Sequence, residues 1–94
     1  MRFTLSVLAD PPDSVTLALA GSVSATTLPR VQRIIRQVQR RQKRVVLDLG
    51  EVTLMDRFAS RFFAGQREQG VKLVNCPVYI RHWISQETVY GSKK

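Results

Sequence analysis

Acidic residues are few beside the basic ones, cysteine and histidine occur once each, and long apolar runs are missing; each scarcity excludes something. A single cysteine, Cys76, rules out an intrachain disulfide, and with one histidine, His82, no set of ligands at zinc spacing can be assembled. The expectation is a protein with no cofactor and no metal. No window is long and apolar enough to span a bilayer. The run Phe3 to Ala9 is cut short by Asp10-Pro11-Pro12, too short and too alternating for the apolar part of a signal peptide, so a cytoplasmic location is expected. No nucleophile with a base, no paired catalytic acids and no phosphate-binding loop can be put together, which argues against an enzyme. Seven acids face fifteen basic residues, a net charge of +8, and an acidic partner surface would complement that excess. Eleven of the fifteen are arginine, and six of those lie between 30 and 44.

What is present reads as one small α/β domain over residues 1–90, followed by a short basic tail, 91–94. Phe3, Leu5 and Val7 alternate, as do Val15, Leu17 and Leu19, and the turn cluster Asp10-Pro11-Pro12-Asp13-Ser14 between them makes an antiparallel hairpin. After Gly21, Thr26 or Thr27 offers an N-cap and Pro29 fits a first helical turn. The helix that follows presents Leu28, Val31, Ile34, Ile35 and Val38 on one face and Arg30, Arg33, Arg36, Arg40 and Arg41 on the other. Val45 to Leu49 is a near-continuous apolar run, expected as a central strand buried on both faces and broken by Gly50-Glu51, with apolar character resuming from Val52 to Met55. A second helix from about 57 to 69 would bury Phe58, Ala59, Phe62 and Phe63 and stop at Gly70. Val71 to Val74 forms another strand. Pro77 opens a last helix with Tyr79 or Ile80, Trp83 and Ile84 on its apolar side. The order is β-β-α-β-α-β-α, a mixed β-sheet covered by α-helices on one side.

That order, with the stretches VTLALAGSVSATTL and GVKLVNCP and with Val45, Asp48, Leu49, Val52 and Asp56 at matching places, resembles the STAS domain of bacterial anti-sigma factor antagonists over roughly residues 3 to 85. In that family the central strand leads to an aspartate, a serine pair or serine-threonine, and a glycine at the start of the next helix, and a partner kinase phosphorylates the second hydroxyl residue. Here Arg57, Phe58 and Ala59 stand at those three positions, and Ser24 stands where an acidic residue is common. Phenylalanine cannot accept a phosphoryl group, so the resemblance implies an interaction module without the usual phosphoserine switch. It implies contact through Ser22, Val23, Ser24, Asp56, Arg57, Phe58, Ser60 and Arg61. By analogy the partner is an anti-sigma-like protein or a subunit of a lipid-transport ABC complex.

The residues themselves leave alternatives open. Asp56 can cap the second helix, or the helix start can serve with Arg57 and Arg61 as an anion platform. Phe58 can be core, as its spacing with Phe62 favours, or an exposed interface anchor. Ser60 is the nearest hydroxyl for a displaced phosphorylation site. His82 and Cys76 read as packing or surface residues. The arginine face of the first helix, Arg30, Arg33, Arg36, Arg40 and Arg41, is the alternative site, a surface for nucleic acid, although no aromatic residue interleaves it for stacking.

Overall fold

The computed structural model describes residues 2–92, with side chains described from 2 to 85. Strands β1 (Phe3–Ala9) and β2 (Ser14–Val23) form the expected antiparallel hairpin, although its loop is shorter than expected because Ser14 already belongs to β2. Helix α1 (Leu28–Arg40) carries the chain to β3 (Arg44–Met55), helix α2 (Arg57–Glu68) to β4 (Lys72–Val74), and helix α3 (Val78–Ser92) follows. The expected tail therefore begins within α3, and its last two residues, 93 and 94, lie outside the described residues. The sheet runs β1-β2-β3-β4, with β2, β3 and β4 parallel to one another. Parallel neighbours need right-handed crossovers, and a strand order that advances in one direction then sets α1 and α2 on the same face.

Burial follows from that one-sided cover. Val15, Leu17 and Leu19 on β2 and Val45, Leu47 and Leu49 on β3 are buried, while Thr16, Ala18, Val46 and Asp48 between them are only partly covered. β3 is central in the sheet, as expected, but it is not buried on both faces. The expected break at Gly50-Glu51 is also absent, because the strand absorbs the extra residues as bulges. Ala18 pairs with Asp48 and Ala20 with Glu51, so β3 spends two residues against one of β2; a second shift places Thr53 in excess between Val52 and Leu54. Each bulge reverses the alternation, which is why Val52 and Met55 point inward after Leu49.

Side chains tie down both irregularities. Asp48 accepts from the Gly50 amide (2.9 Å) and from Asn75 Nδ2 (2.9 Å). The Tyr79 hydroxyl donates toward the carbonyls of Thr53 (3.0 Å) and Val52 (3.4 Å). Tyr79 thus reaches over the end of β3, and Ile80 and Ile84 face the core while Trp83 keeps 42% of its surface exposed. At Gly21, φ is +89° and an added Cβ would lie 2.0 Å from the Arg2 carbonyl oxygen, so glycine is required where β1 passes β2.

Helix α1 inserts Val31, Ile35 and Val38 into the core, with Leu28 and Ile34 packed against it. Its start closes on itself: Leu28 donates to the Ser24 carbonyl, Pro29 has no N–H, and Arg30 and Val31 donate to the Thr27 carbonyl. Thr27 is the N-cap residue by position, yet its hydroxyl turns back to accept from the Ser24 amide (3.0 Å) instead of capping the helix. Helix α2 buries Ala59, Ser60, Phe63 and Ala64. It ends in a Schellman arrangement, with Val71 donating to the Gln66 carbonyl (2.9 Å), Gly70 to Arg67 (3.2 Å), and Gly70 at φ +98°.

Candidate functional site

The two segments implicated by the family resemblance, residues 22–24 and 56–61, meet through one side chain. Asp56 is the N-cap of α2: its Oδ1 accepts from the Ala59 amide at 2.8 Å. Its other oxygen, Oδ2, accepts from the amide of Ala25 at 3.0 Å, across 31 residues of sequence. The Asp56 amide in turn donates to the Val23 carbonyl (3.2 Å). One carboxylate therefore joins the turn after β2 to the first turn of α2. That turn is itself closed by Thr27 Oγ1 donating back to the Ser24 carbonyl (3.0 Å) and by a Ser24–Thr26 hydroxyl pair (2.8 Å).

With both oxygens engaged, Asp56 places its own negative charge at the helix N-terminus. A phosphate brought there would meet that charge, so Asp56 acts as the cap and the anion-platform reading gives way.

Phe58 corrects the expectation of burial, with 63% of its surface exposed. The inward stripe of α2 is Ala59, Ser60, Phe63 and Ala64, at spacings of one and four, and at about 100° per residue Phe58 lies nearly opposite its centre. Arg57 and Arg61 are exposed on the same side of the helix as Phe58. Phe62 takes an intermediate position, edge-on to Phe63 with ring centroids 5.4 Å apart.

Two residues of the expected contact set do not reach the surface. Val23 is fully buried, and Ser60 is buried with its hydroxyl donating to the Asp56 carbonyl (3.2 Å). Both support the surface from beneath, and the enclosed Ser60 hydroxyl is not placed to accept a phosphoryl group. Ser22 and Ser24 are half-buried.

The second expected surface divides when its partners are traced. Arg30 sits over the Phe3 ring, 5.7 Å from its centroid. Arg41 pairs with Asp10 (3.6 Å), and Lys43 forms an ion pair with the same carboxylate. The Lys43 hydrogen bond is the main cause holding Asp10 below its ordinary carboxylate range, with Arg41 assisting. Arg33, Arg36 and Arg40 have no such engagement among the described residues and line a shallow notch on the outer side of α1 together with Pro29, Gln32 and Gln37.

Elsewhere the chemistry is sparse. Burial pushes the Cys76 thiol up, against the opposing influence of Arg81 and Arg67, which disfavours a reactive thiolate. Among the described residues no three His, Cys, Asp or Glu side chains could hold a metal ion, and no helix is long and apolar enough to cross a membrane.

Sequence reasoning found Asp56 as a cap because an acid ahead of an apolar helical run is a local signal. It missed Ala25, whose part is played by a backbone amide and leaves no mark on residue type. It also missed the Asp10 contacts and the Tyr79 hydroxyl, all of them long-range. No protein-family model matches the chain, and no curated protein matches it significantly.

Proposed function

We propose that this chain is a non-enzymatic protein–protein interaction module of a bacterial regulatory or transport complex, a divergent STAS-like domain that acts in the cytoplasm without a phosphoserine switch. The observation that carries the reading is the exposed Phe58, with the exposed Arg57 and Arg61 on the same side of α2, at the junction where Asp56 ties the turn after β2 to the start of the helix. Aromatic rings and guanidinium groups together are the residue types enriched at the centres of protein interfaces. The ring supplies apolar area that loses water on contact, and the arginines steer and register an acidic partner surface. Placing a rigid aromatic where the resemblance puts a modifiable serine implies constitutive contact, regulated through the partner or its abundance.

The test is affinity capture from the source organism with wild type and with Phe58→Ser combined with Arg57→Glu, followed by reconstitution with the purified captured protein. The reading expects one partner whose affinity for the variant falls at least tenfold, an effect of about 1.4 kcal/mol or more. Equal affinity of the two baits for every captured partner would contradict it.

A further inference from the structure

The arginine face of α1 is a separate feature, and its composition is unusually one-sided. Between Ser14 and Leu47 the chain has no acidic residue at all, while it carries Arg30, Arg33, Arg36, Arg40, Arg41, Lys43 and Arg44. The fold sorts these charges. Arg30 is drawn to Phe3, and Arg41 and Lys43 to Asp10. Arg33, Arg36 and Arg40 remain exposed and unpaired among the described residues. At about 100° per residue these three fall within roughly 60° of arc, opposite the Val31, Ile35 and Val38 face that fills the core. At about 1.5 Å rise per residue they span roughly 10 Å along the axis. Their like charges, three and four residues apart, repel one another in the free protein, and a polyanion would relieve that cost.

We infer that this face binds the sugar-phosphate backbone of duplex nucleic acid, without reading its sequence. Four features select that occupant. Guanidinium forks match phosphate oxygens two at a time, and Gln32 and Gln37 beside them add neutral donors of the kind that also contact phosphate and sugar. A protein partner would need an apolar anchor at the centre of the patch, but among the described residues every exposed large apolar side chain lies on another element. An anionic membrane would be gripped by a basic helix that inserts its apolar side, and the apolar side of α1 is already committed to the core. Single strands are disfavoured because α1 carries no aromatic residue on which bases could stack.

The test measures binding of the full chain to mixed-sequence DNA and RNA duplexes of about 20 base pairs over a series of salt concentrations. Three phosphate contacts predict a slope of log affinity against log salt of about −2.7 on duplex DNA, or about a forty-fold loss between 50 and 200 mM. Arg33→Gln with Arg36→Gln and Arg40→Gln should remove most of both binding and slope, while melting no lower than wild type because like-charge repulsion is relieved. Arg36→Gln alone should lower the slope by about one, which keeps the test decisive if the triple variant folds poorly. Arg57→Gln with Arg61→Gln should leave duplex binding unchanged. Absence of duplex binding at low salt, or binding that the triple and single variants retain in full, would overturn the inference. So would tighter binding to vesicles of equimolar phosphatidylglycerol and phosphatidylcholine than to either duplex.

Discussion

The two basic surfaces of this molecule are held in different ways. At the start of α2, Arg57 and Arg61 accompany an exposed aromatic ring on a junction fixed by one carboxylate, which accepts from the nearby Ala59 amide and from the distant Ala25 amide. On α1, Arg33, Arg36 and Arg40 stand on a helix whose opposite face is locked in the core, and no polar contact among the described residues positions them. The first surface depends on shape and can be lost through one residue. The second depends on summed charge and should fade in steps as charges are removed or salt is added.

Within α2 the contrast between inner and outer phenylalanines gives the largest expected effect. Phe63→Ala should cost about 3–5 kcal/mol in chemical denaturation, because a fully buried ring leaves a cavity. Phe58→Ala, five residues earlier, should change stability by no more than about 0.5 kcal/mol, since its ring is mostly in water. Comparable losses at both positions would erase the distinction between supporting and contacting residues. Next comes Asp56→Ala, expected to destabilise by about 1–2 kcal/mol through loss of the cap and of the Ala25 tie. Asp56→Asn should recover only part of this loss, because a neutral amide offers just one acceptor oxygen for the two N–H groups.

The smallest expected shift among the scaffold changes lies at the far end of α1. There Gln42 follows the helix at φ +59°, where α2 uses glycine, and Gln42→Gly should stabilise by about 0.5–1 kcal/mol in thermal melts without altering either surface. Destabilisation would mean that the Gln42 side chain makes a contact worth more than the backbone strain.

Much of the architecture was legible because it rests on periodicity. The hairpin alternation, the Val31, Ile35 and Val38 stripe and the Gly70 stop are local signals, and each appears in the structure where the pattern places it. Three readings failed for identifiable physical reasons. Gly50 looks like a strand breaker, but a bulge accommodates it while Asp48 accepts its N–H, a solution that depends on pairing with β2. Phe58 and Phe62 suggested a core stripe because large rings dominate a hydrophobic reading. The actual stripe consists mostly of Ala59, Ser60 and Ala64, whose small side chains let the helix approach the sheet closely and carry little signal of their own. The run Val45 to Leu49 resembles a strand covered on both faces, yet the helices cover one face only, which leaves Val46 partly open. The candidate surface was legible in its parts and not in its assembly, since the link from Asp56 to Ala25 joins a side chain to a backbone amide far away in sequence.

That link is the point on which the account turns, and amide hydrogen exchange measures it most directly. Exchange at Ala25 and Ala59 would be followed by NMR in wild type and in Asp56→Ala under conditions where both are folded. The account predicts that both amides are protected in wild type, and that in the variant both speed up by more than the uniform acceleration that the lower global stability gives the amides of β2 and β3. Exchange at Ala25 that speeds up no more than that of β2 and β3 would contradict it, for the turn after β2 and the start of α2 would then be held together by something other than this carboxylate.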